Sequence, residues 1–386
     1  MTQTINRSGL FTAGCFALIT TAMSFGLRAG MIPVWQNQFG LTIEDAGWIA
    51  ATAFWGFTLA MIFGGPLCDL LGIKKLIYIA FAGHLVGIVW TIFSNNFWSF
   101  YLSTLVVGVA NGLVEAACNP LVTSMYTDEK TKMLNRFHMW FPGGIVIGGL
   151  VGYFMTEAGI SWKYQIATML IPNIIYGVMF FDKIVPVTER VSSGVSSGDM
   201  YKACIKPFFL LLVFCMMISA ATELGTGQLI TKLLEGTGQS GLLVLVFING
   251  LMAVGRLFAG PIVHRLSPLG MLLFSSVFSA LGLYALSEAT GGMTFVAAGV
   301  FATGICFFWP TNLGFVSESL PKTGALGLAI MGGAGMLSVS IVLPILGRFL
   351  DQQSGAATLK TFAILPLCLS VIFAILYFQN KAKRAQ

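Results

Sequence analysis

Gly108-Val-Ala-Asn-Gly-Leu-Val-Glu-Ala-Ala-Cys-Asn-Pro120 lies late in a long apolar segment that begins near Phe97. It carries an ionisable carboxyl, Glu115, where lipid thickness predicts hydrocarbon. Asn111, Glu115 and Asn119 are spaced by four, so a helix sets all three on one face. An isolated charge at bilayer depth costs roughly 3 kcal/mol on insertion scales, so it must face other protein or a wet cavity. Such a residue marks a pathway by default. The plain alternative is a buried acid, neutralised by a partner and used only in helix packing.

The rest of the chain is of the same kind. Of its 386 residues, 56% are hydrophobic and only 9% charged, against roughly 25% charged in soluble domains. The 45 glycines point the same way, because glycine is commoner in membrane helices than in soluble ones. The apolar runs are unbroken for about 20 residues each, which suits spanning helices and excludes the short alternating segments of a membrane barrel. The net charge of +6 is scattered over short loops, so it is no nucleic-acid signal. Seven cysteines show no paired or metal-like spacing and read as small buried residues. Arg7 leads straight into an apolar segment without a small-residue cleavage site, which reads as a first membrane helix rather than a removable signal.

Twelve segments can be marked, at about 10–34, 45–68, 76–93, 97–125, 137–157, 163–181, 207–231, 240–263, 269–287, 292–317, 324–348 and 357–379. With the N-terminus inside, 15 Lys or Arg fall on the cytoplasmic side and only residues 163, 232, 348 and 360 outside. That asymmetry predicts cytoplasmic termini in a cell (inner) membrane. The low-hydrophobicity stretch Asp182–Lys206, with Val191-Ser-Ser-Gly-Val-Ser-Ser-Gly-Asp199, predicts a flexible cytoplasmic linker. It divides the chain into 1–181, 182–206 and 207–386. The halves repeat: Gly64-Gly-Pro-Leu-Cys-Asp-Leu-Leu-Gly-Ile-Lys-Lys75 closes the second segment, and Ala259-Gly-Pro-Ile-Val-His-Arg-Leu-Ser-Pro268 closes the eighth. Two six-helix bundles in parallel orientation with a cavity between them is a transporter plan.

Gly65, Asp69, Gly72, Lys74 and Lys75 resemble the loop signature between the second and third helices of the major facilitator superfamily. Helix count, linker and repeat extend the resemblance over the whole chain. It implies that Asp69 pairs with neighbouring helix ends and helps latch one transport conformation, more weakly in the second copy, where His264 stands in place of the acid. Leu113-Val-Glu115-Ala-Ala-Cys-Asn119-Pro120 narrows the match and resembles the fucose:proton symporter family. That resemblance implies a protonatable coupling or sugar-binding acid at Glu115. One departure stands out. The family's second acid lies a few residues before a proline in the first helix; aligning on Pro33 puts Ala29 there, beside Arg28. A first-helix Arg with a fourth-helix Glu looks like the organic-anion branch of the superfamily, which moves sugar acids.

Arg28 shares a face with Thr20 and Ser24 and either serves a site or snorkels to the outer interface. Ala221-Thr-Glu223-Leu-Gly-Thr-Gly-Gln228 interrupts the seventh segment with a charge and two glycines, the pattern of a gate-forming helix. Glu223 either acts there or pairs with Arg256. Asn249, and Phe307-Phe-Trp309-Pro-Thr-Asn312, add the amide and aromatic groups that hold a sugar-like ring. His138, at the start of the fifth segment, titrates near neutral pH or caps a cytoplasmic helix end. Gly332-Gly-Ala-Gly335 lacks the preceding strand of a phosphate loop and reads as helix packing.

The expectation is therefore an all-α, twelve-helix secondary transporter, monomeric among membrane lipid, with no cofactor beyond a coupling proton, or sodium in its place. Glu115 is the expected proton carrier. Ser24, Arg28, Asn111, Asn119, His138, Glu223, Gln228, Asn249, Trp309 and Asn312 are the expected substrate contacts. A monosaccharide and a sugar acid or other organic anion both stay open as substrates. From another class, an enzyme would need a nucleophile–base pair or metal ligands, which the sequence does not offer. A non-transporting receptor would need sizeable soluble parts, and the linker has about 25 residues.

Overall fold

The computed structural model describes residues 5–385, without the side chains of 29, 30, 32, 33, 43, 44, 46, 231, 242 and 383–385. The alignment on Pro33 and Ala29 lies outside the described side chains. Among the described residues the chain is helical throughout, with no strand. The first four helices are Arg7–Phe39, Ile43–Leu71, Ile73–Phe93 and Phe97–Met125. Their ends follow from local chemistry. Gly40 ends the first in the left-handed region at φ 66°, open to glycine without a Cβ penalty. Thr42 and Asp45 form a reciprocal capping box on the second. Gly72 turns the chain into the third at φ 85°.

The fifth helix, Lys130–Glu157, is interrupted at Met139 between Lys130–His138 and Trp140–Glu157. It therefore starts well before the expected position near residue 137. The sixth comes in two pieces, Trp162–Ala167 and Leu170–Phe180. The linker is not featureless either, since it forms short helices at Glu189–Ser192 and Ser197–Cys204.

The seventh helix runs Pro207–Ala220, opens into a π-turn at Ala221–Gly225 and continues as Thr226–Leu233. The eighth, Gly241–Leu257, is prolonged from Ala259 as far as a break at Ser267, where φ is 62°. Pro268 denies its predecessor the helical region, so the ninth begins there and ends at Glu288. The tenth joins Met293–Ile305 to Phe308–Ser319, the eleventh is Gly324–Gln352, and the twelfth joins Gly355–Phe362 to Ile364–Ala385. Among the described residues ten spans are long and apolar enough to cross a membrane. The broken sixth and short eighth complete the two six-helix bundles.

Small residues let the helices approach. A Cβ on Gly108 would lie 2.6 Å from the Thr52 carbonyl oxygen of the second helix. Between bundles, a Cβ on Gly65 would lie 2.6 Å from that of Ala329 on the eleventh. In lipid such packing takes the place of the hydrophobic drive.

One end of the molecule, the linker face, is cross-tied. Asp69 accepts from the Thr188 hydroxyl (2.5 Å) and the Arg190 Nε (2.7 Å). Its partners are thus linker groups rather than the neighbouring helix ends that the resemblance implied, with Arg190 buried and its side chain against Gly324 at the start of the eleventh helix. Lys74 donates to the Lys183 carbonyl (2.9 Å), and Lys75 is exposed. Lys130 pairs with Glu189 (2.7 Å) and reaches the Ser317 carbonyl (3.2 Å). The Thr131 hydroxyl donates to Glu318 (2.6 Å). His264, in the second copy of the motif, is exposed.

Candidate functional site

Midway along the bundles, the fourth and fifth helices bring Glu115, Asn119 and His138 together. All three are at most 1% exposed. The Asn119 amide donates to Glu115 Oε2 (2.7 Å), which turns its own carbonyl toward His138 Nε2 (2.9 Å). Since that carbonyl only accepts, Nε2 must carry a proton. A neutral His138 then presents a bare Nδ1, which sits 3.7 Å from Glu115 Oε1. The two face each other just beyond hydrogen-bond distance.

Far from starting the fifth segment at a cytoplasmic helix end, His138 closes its first piece in mid-bundle. Its backbone carbonyl, left free because Pro142 four residues on has no N–H, accepts from Arg256 (3.0 Å). The same guanidinium binds Glu223 Oε1 (2.8 Å) and the Cys306 carbonyl (2.6 Å). Arg256 thus ties an acid of the second bundle to the fifth helix of the first, and all three of its nitrogens are engaged. Glu223 sits in the π-turn, a wide turn frequently found at functional sites. Among the described residues its buried Oε2 has no partner, while the buried indole N–H of Trp309 lies toward the Glu115 carboxyl. Glu115, His138, Phe141, Glu223, Arg256 and Trp309 enclose a void of about 10 Å³, near the lower limit for one water.

Phe141, Glu223 and Leu224 also line a second, larger cavity of about 150 Å³ between the bundles. Gln228 and Asn249 face into it from the second bundle, Phe25 and Pro142 from the first. Phe25 and Phe141 meet there with ring centroids 5.7 Å apart.

The remaining expected contacts sit elsewhere. Asn111 donates to Ser24 Oγ (2.9 Å) and accepts from His84 Nε2 (2.8 Å), whose Nδ1 meets the Tyr176 hydroxyl (3.0 Å). Its amide is spent inside the first bundle, one turn from Glu115 but on different partners. Arg28 is buried, not snorkelling, in a separate small cavity among the first, third, fourth and sixth helices. Asn312 donates to the Phe308 carbonyl (2.9 Å) and to Ser219 (3.3 Å), joining the tenth helix to the seventh. Trp309 packs on the eleventh helix, where a Cβ on Gly335 would lie 2.8 Å from its ring, so that glycine run does serve packing.

Sequence reasoning passed over His84 and Tyr176, though a histidine in so apolar a third segment is a signal in its own right. It named Arg256 only as a rival use of Glu223, without its reach to His138. Among the described residues no cluster of His, Cys, Asp and Glu is placed to hold a metal.

The model of the Major Facilitator Superfamily matches residues 14–268. The D-xylose transporter of Levilactobacillus brevis is 24% identical over 148 residues, 38% of this chain and 32% of that protein. The quinolone resistance protein NorA of Staphylococcus aureus is 24% identical over 217 residues, 53% of this chain and 54% of that protein. The chain thus spans between about a third and about half of the length of these curated relatives. Among solved structures, the E. coli fucose:proton symporter FucP superposes with a TM-score of 0.78 at 15% identity, over 95% of this chain and 98% of that one. The proton:xylose symporter XylE superposes with a TM-score of 0.79 at 13% identity, over 96% of each. At these identities the likeness is one of fold.

Proposed function

Because this chain belongs to the Major Facilitator Superfamily, we propose that it carries a neutral monosaccharide across the membrane together with a proton held at Glu115. The observation that carries this reading is the buried chain Glu115–Asn119–His138–Arg256–Glu223, which spans both bundles beside a solute-sized cavity. With His138 neutral, this cluster holds two carboxylates and one guanidinium. It is neutral only with one proton aboard, and a water-poor interior penalises net charge. Loading therefore takes one proton per cycle.

Coupling follows from shared groups. A solute hydroxyl that bonds the free Oε2 of Glu223 competes for the acid that orients Arg256, and Arg256 holds the backbone of His138. Occupancy of the cavity is thereby felt at the proton site. Aromatic faces at Phe25 and Phe141, with amides at Gln228 and Asn249, suit a ring bearing hydroxyls. Against the organic-anion alternative, Arg256 is spent on three acceptors and Arg28 lines a different cavity. A carboxylate in the larger cavity would meet Glu223 without a free cation. That the similar proteins include a D-xylose transporter, a fucose:proton symporter and a proton:xylose symporter supports the same choice.

The rocking units are 1–181 and 207–386, joined by 182–206, and the linker face is cytoplasmic in a cell membrane, on the strength of the basic asymmetry. In this conformation that face is closed. The test is uptake of labelled hexose and pentose into sealed vesicles under an imposed pH gradient, with the matching aldonate as competitor. Accumulation should collapse with the gradient and ignore the aldonate. Competition by aldonate would transfer the reading to organic anions, and vesicles that move no solute would end the transport reading.

A further inference from the structure

We propose that the first bundle holds a small inorganic anion, chloride, between Arg28 and Trp35, apart from the solute cavity and independent of the solute's identity. The site is a cavity of about 20 Å³ lined by Arg28, Trp35, Thr91, Thr104, Ile166 and Met169, among others. That is room for a single water-sized species and too little for any sugar.

Its walls present two N–H donors, of Arg28 and Trp35, for which the described residues supply no acceptor. Arg28 is 7% exposed, and among the described residues no carboxylate, carbonyl or hydroxyl accepts from its guanidinium. The ring of Phe25, 5.8 Å from its centre, is a quadrupole and supplies no countercharge. Trp35 is 1% exposed, and its indole N–H likewise has no acceptor. Tryptophan offers that group as a donor only. The hydroxyls of Thr91 and Thr104 are bonded to carbonyls of their own helices, Gly87 and Phe100. Among the described residues no carboxylate lines the cavity.

A guanidinium stays protonated in proteins and is costly to bury without a counter-ion. Two N–H donors lining one space for a single particle, neither partnered among the described residues, therefore suit an acceptor that also carries negative charge. A water would satisfy the hydrogen bonds and leave the charge unbalanced. A monatomic anion does both, pinning the outer half of the first helix to the third, fourth and sixth.

The experiment is thermal unfolding of the purified full chain in detergent, titrating chloride against methanesulfonate at constant ionic strength. Methanesulfonate is too bulky for the cavity. A saturable rise in Tm of about 3 °C is expected for the wild type. It should vanish in Arg28→Gln, and the half-saturating chloride concentration should rise about tenfold in Trp35→Phe, which keeps the ring and removes one donor. Crystals grown in bromide supply a readout that needs no variant, namely an anomalous peak between Arg28 and Trp35. A Tm indifferent to chloride, or a rise of equal size and midpoint in Trp35→Phe, would overturn the proposal. So would a bromide crystal with an ordered water and no anomalous peak at that position.

Discussion

At the linker face the bundles are tied by Lys130 to Ser317 and Thr131 to Glu318, with the linker clamped between Asp69 and Lys130 through Arg190 and Glu189. Toward the far face the same bundles confront each other across Phe25, Gly26 and Ile145 on one side and Gln228, Leu245 and Asn249 on the other. Among the described residues, the side-chain hydrogen bonds between bundles lie at the linker face or at mid-depth, as Asn135 to Thr311 and Arg256 to His138 do. One end is thus held by polar contacts that water can replace, the other by apolar surfaces around a cavity. The Asp69–Arg190 pair is nearly buried, at 2% and 9% side-chain exposure, and so is Lys130 of the other pair, at 6%, so removing one partner leaves a charge stranded. Closure at the linker face therefore rests on these buried pairs, and a solute reverses it only by its differential affinity for the two states.

The comparison breaks most decisively at mid-depth. Glu115→Gln keeps shape and hydrogen bonding but removes titration, so gradient-driven accumulation in proteoliposomes should fall by about 100-fold or more while solute exchange without a gradient survives. Wild-type accumulation in that variant would reduce Glu115 to a packing residue. Next in size, Arg256→Gln strands Glu223 and should destabilise the protein by roughly 3–5 kcal/mol. Adding Glu223→Gln should recover most of that loss in thermal unfolding, whereas a double variant no more stable than the single would show that the pair is not the main bond between them.

At the linker face, Asp69→Asn removes charge-assisted bonds worth about 1.5–3 kcal/mol and should shift the population toward an open linker face. The measure is thiol labelling of Ser317→Cys in a Cys368→Ser background, expected to quicken about tenfold; unchanged labelling would mean that Asp69 does not hold this end shut. The smallest effect should come from a protease site between Val191 and Asp199. It should alter stability by no more than about 0.5 kcal/mol and be cut only from the cytoplasm. Cutting from outside would invert the orientation proposed for the two ends.

How far the sequence could be read varied with the kind of evidence each residue leaves. The spacing of Glu115 and Asn119 is a local fact, and the structure joins them directly. Asn111 obeys the same spacing, yet its amide is used by Ser24 and His84, because periodicity assigns a face of the helix and not the neighbour across it. His138 was placed too near the membrane surface for a different reason. The charges of Lys130–Arg136 look like a loop in any hydropathy reading, but Lys130 is neutralised by Glu189, far along the chain, so the helix begins at Lys130. The linker misled similarly, since its Ser and Gly content conceals the anchoring of Arg190 on Asp69. Spacing did place Ser24 and Arg28 on one cavity, and only packing could say that the cavity is internal to the first bundle.

The π-turn at Ala221–Gly225 makes the length of the seventh helix adjustable. A wide turn of this kind absorbs an extra residue while the α-helices before and after it keep their orientation. Excising Ala221 or Thr222 would therefore leave Pro207–Ala220 and Thr226–Leu233 nearly in place and withdraw only what the bulge displays. The displayed residue is Glu223. In this part of the chain a one-residue deletion acts as a change of ligand chemistry rather than a frameshift of the fold, and a lineage could retune its solute by indels where substitutions would disturb the packing.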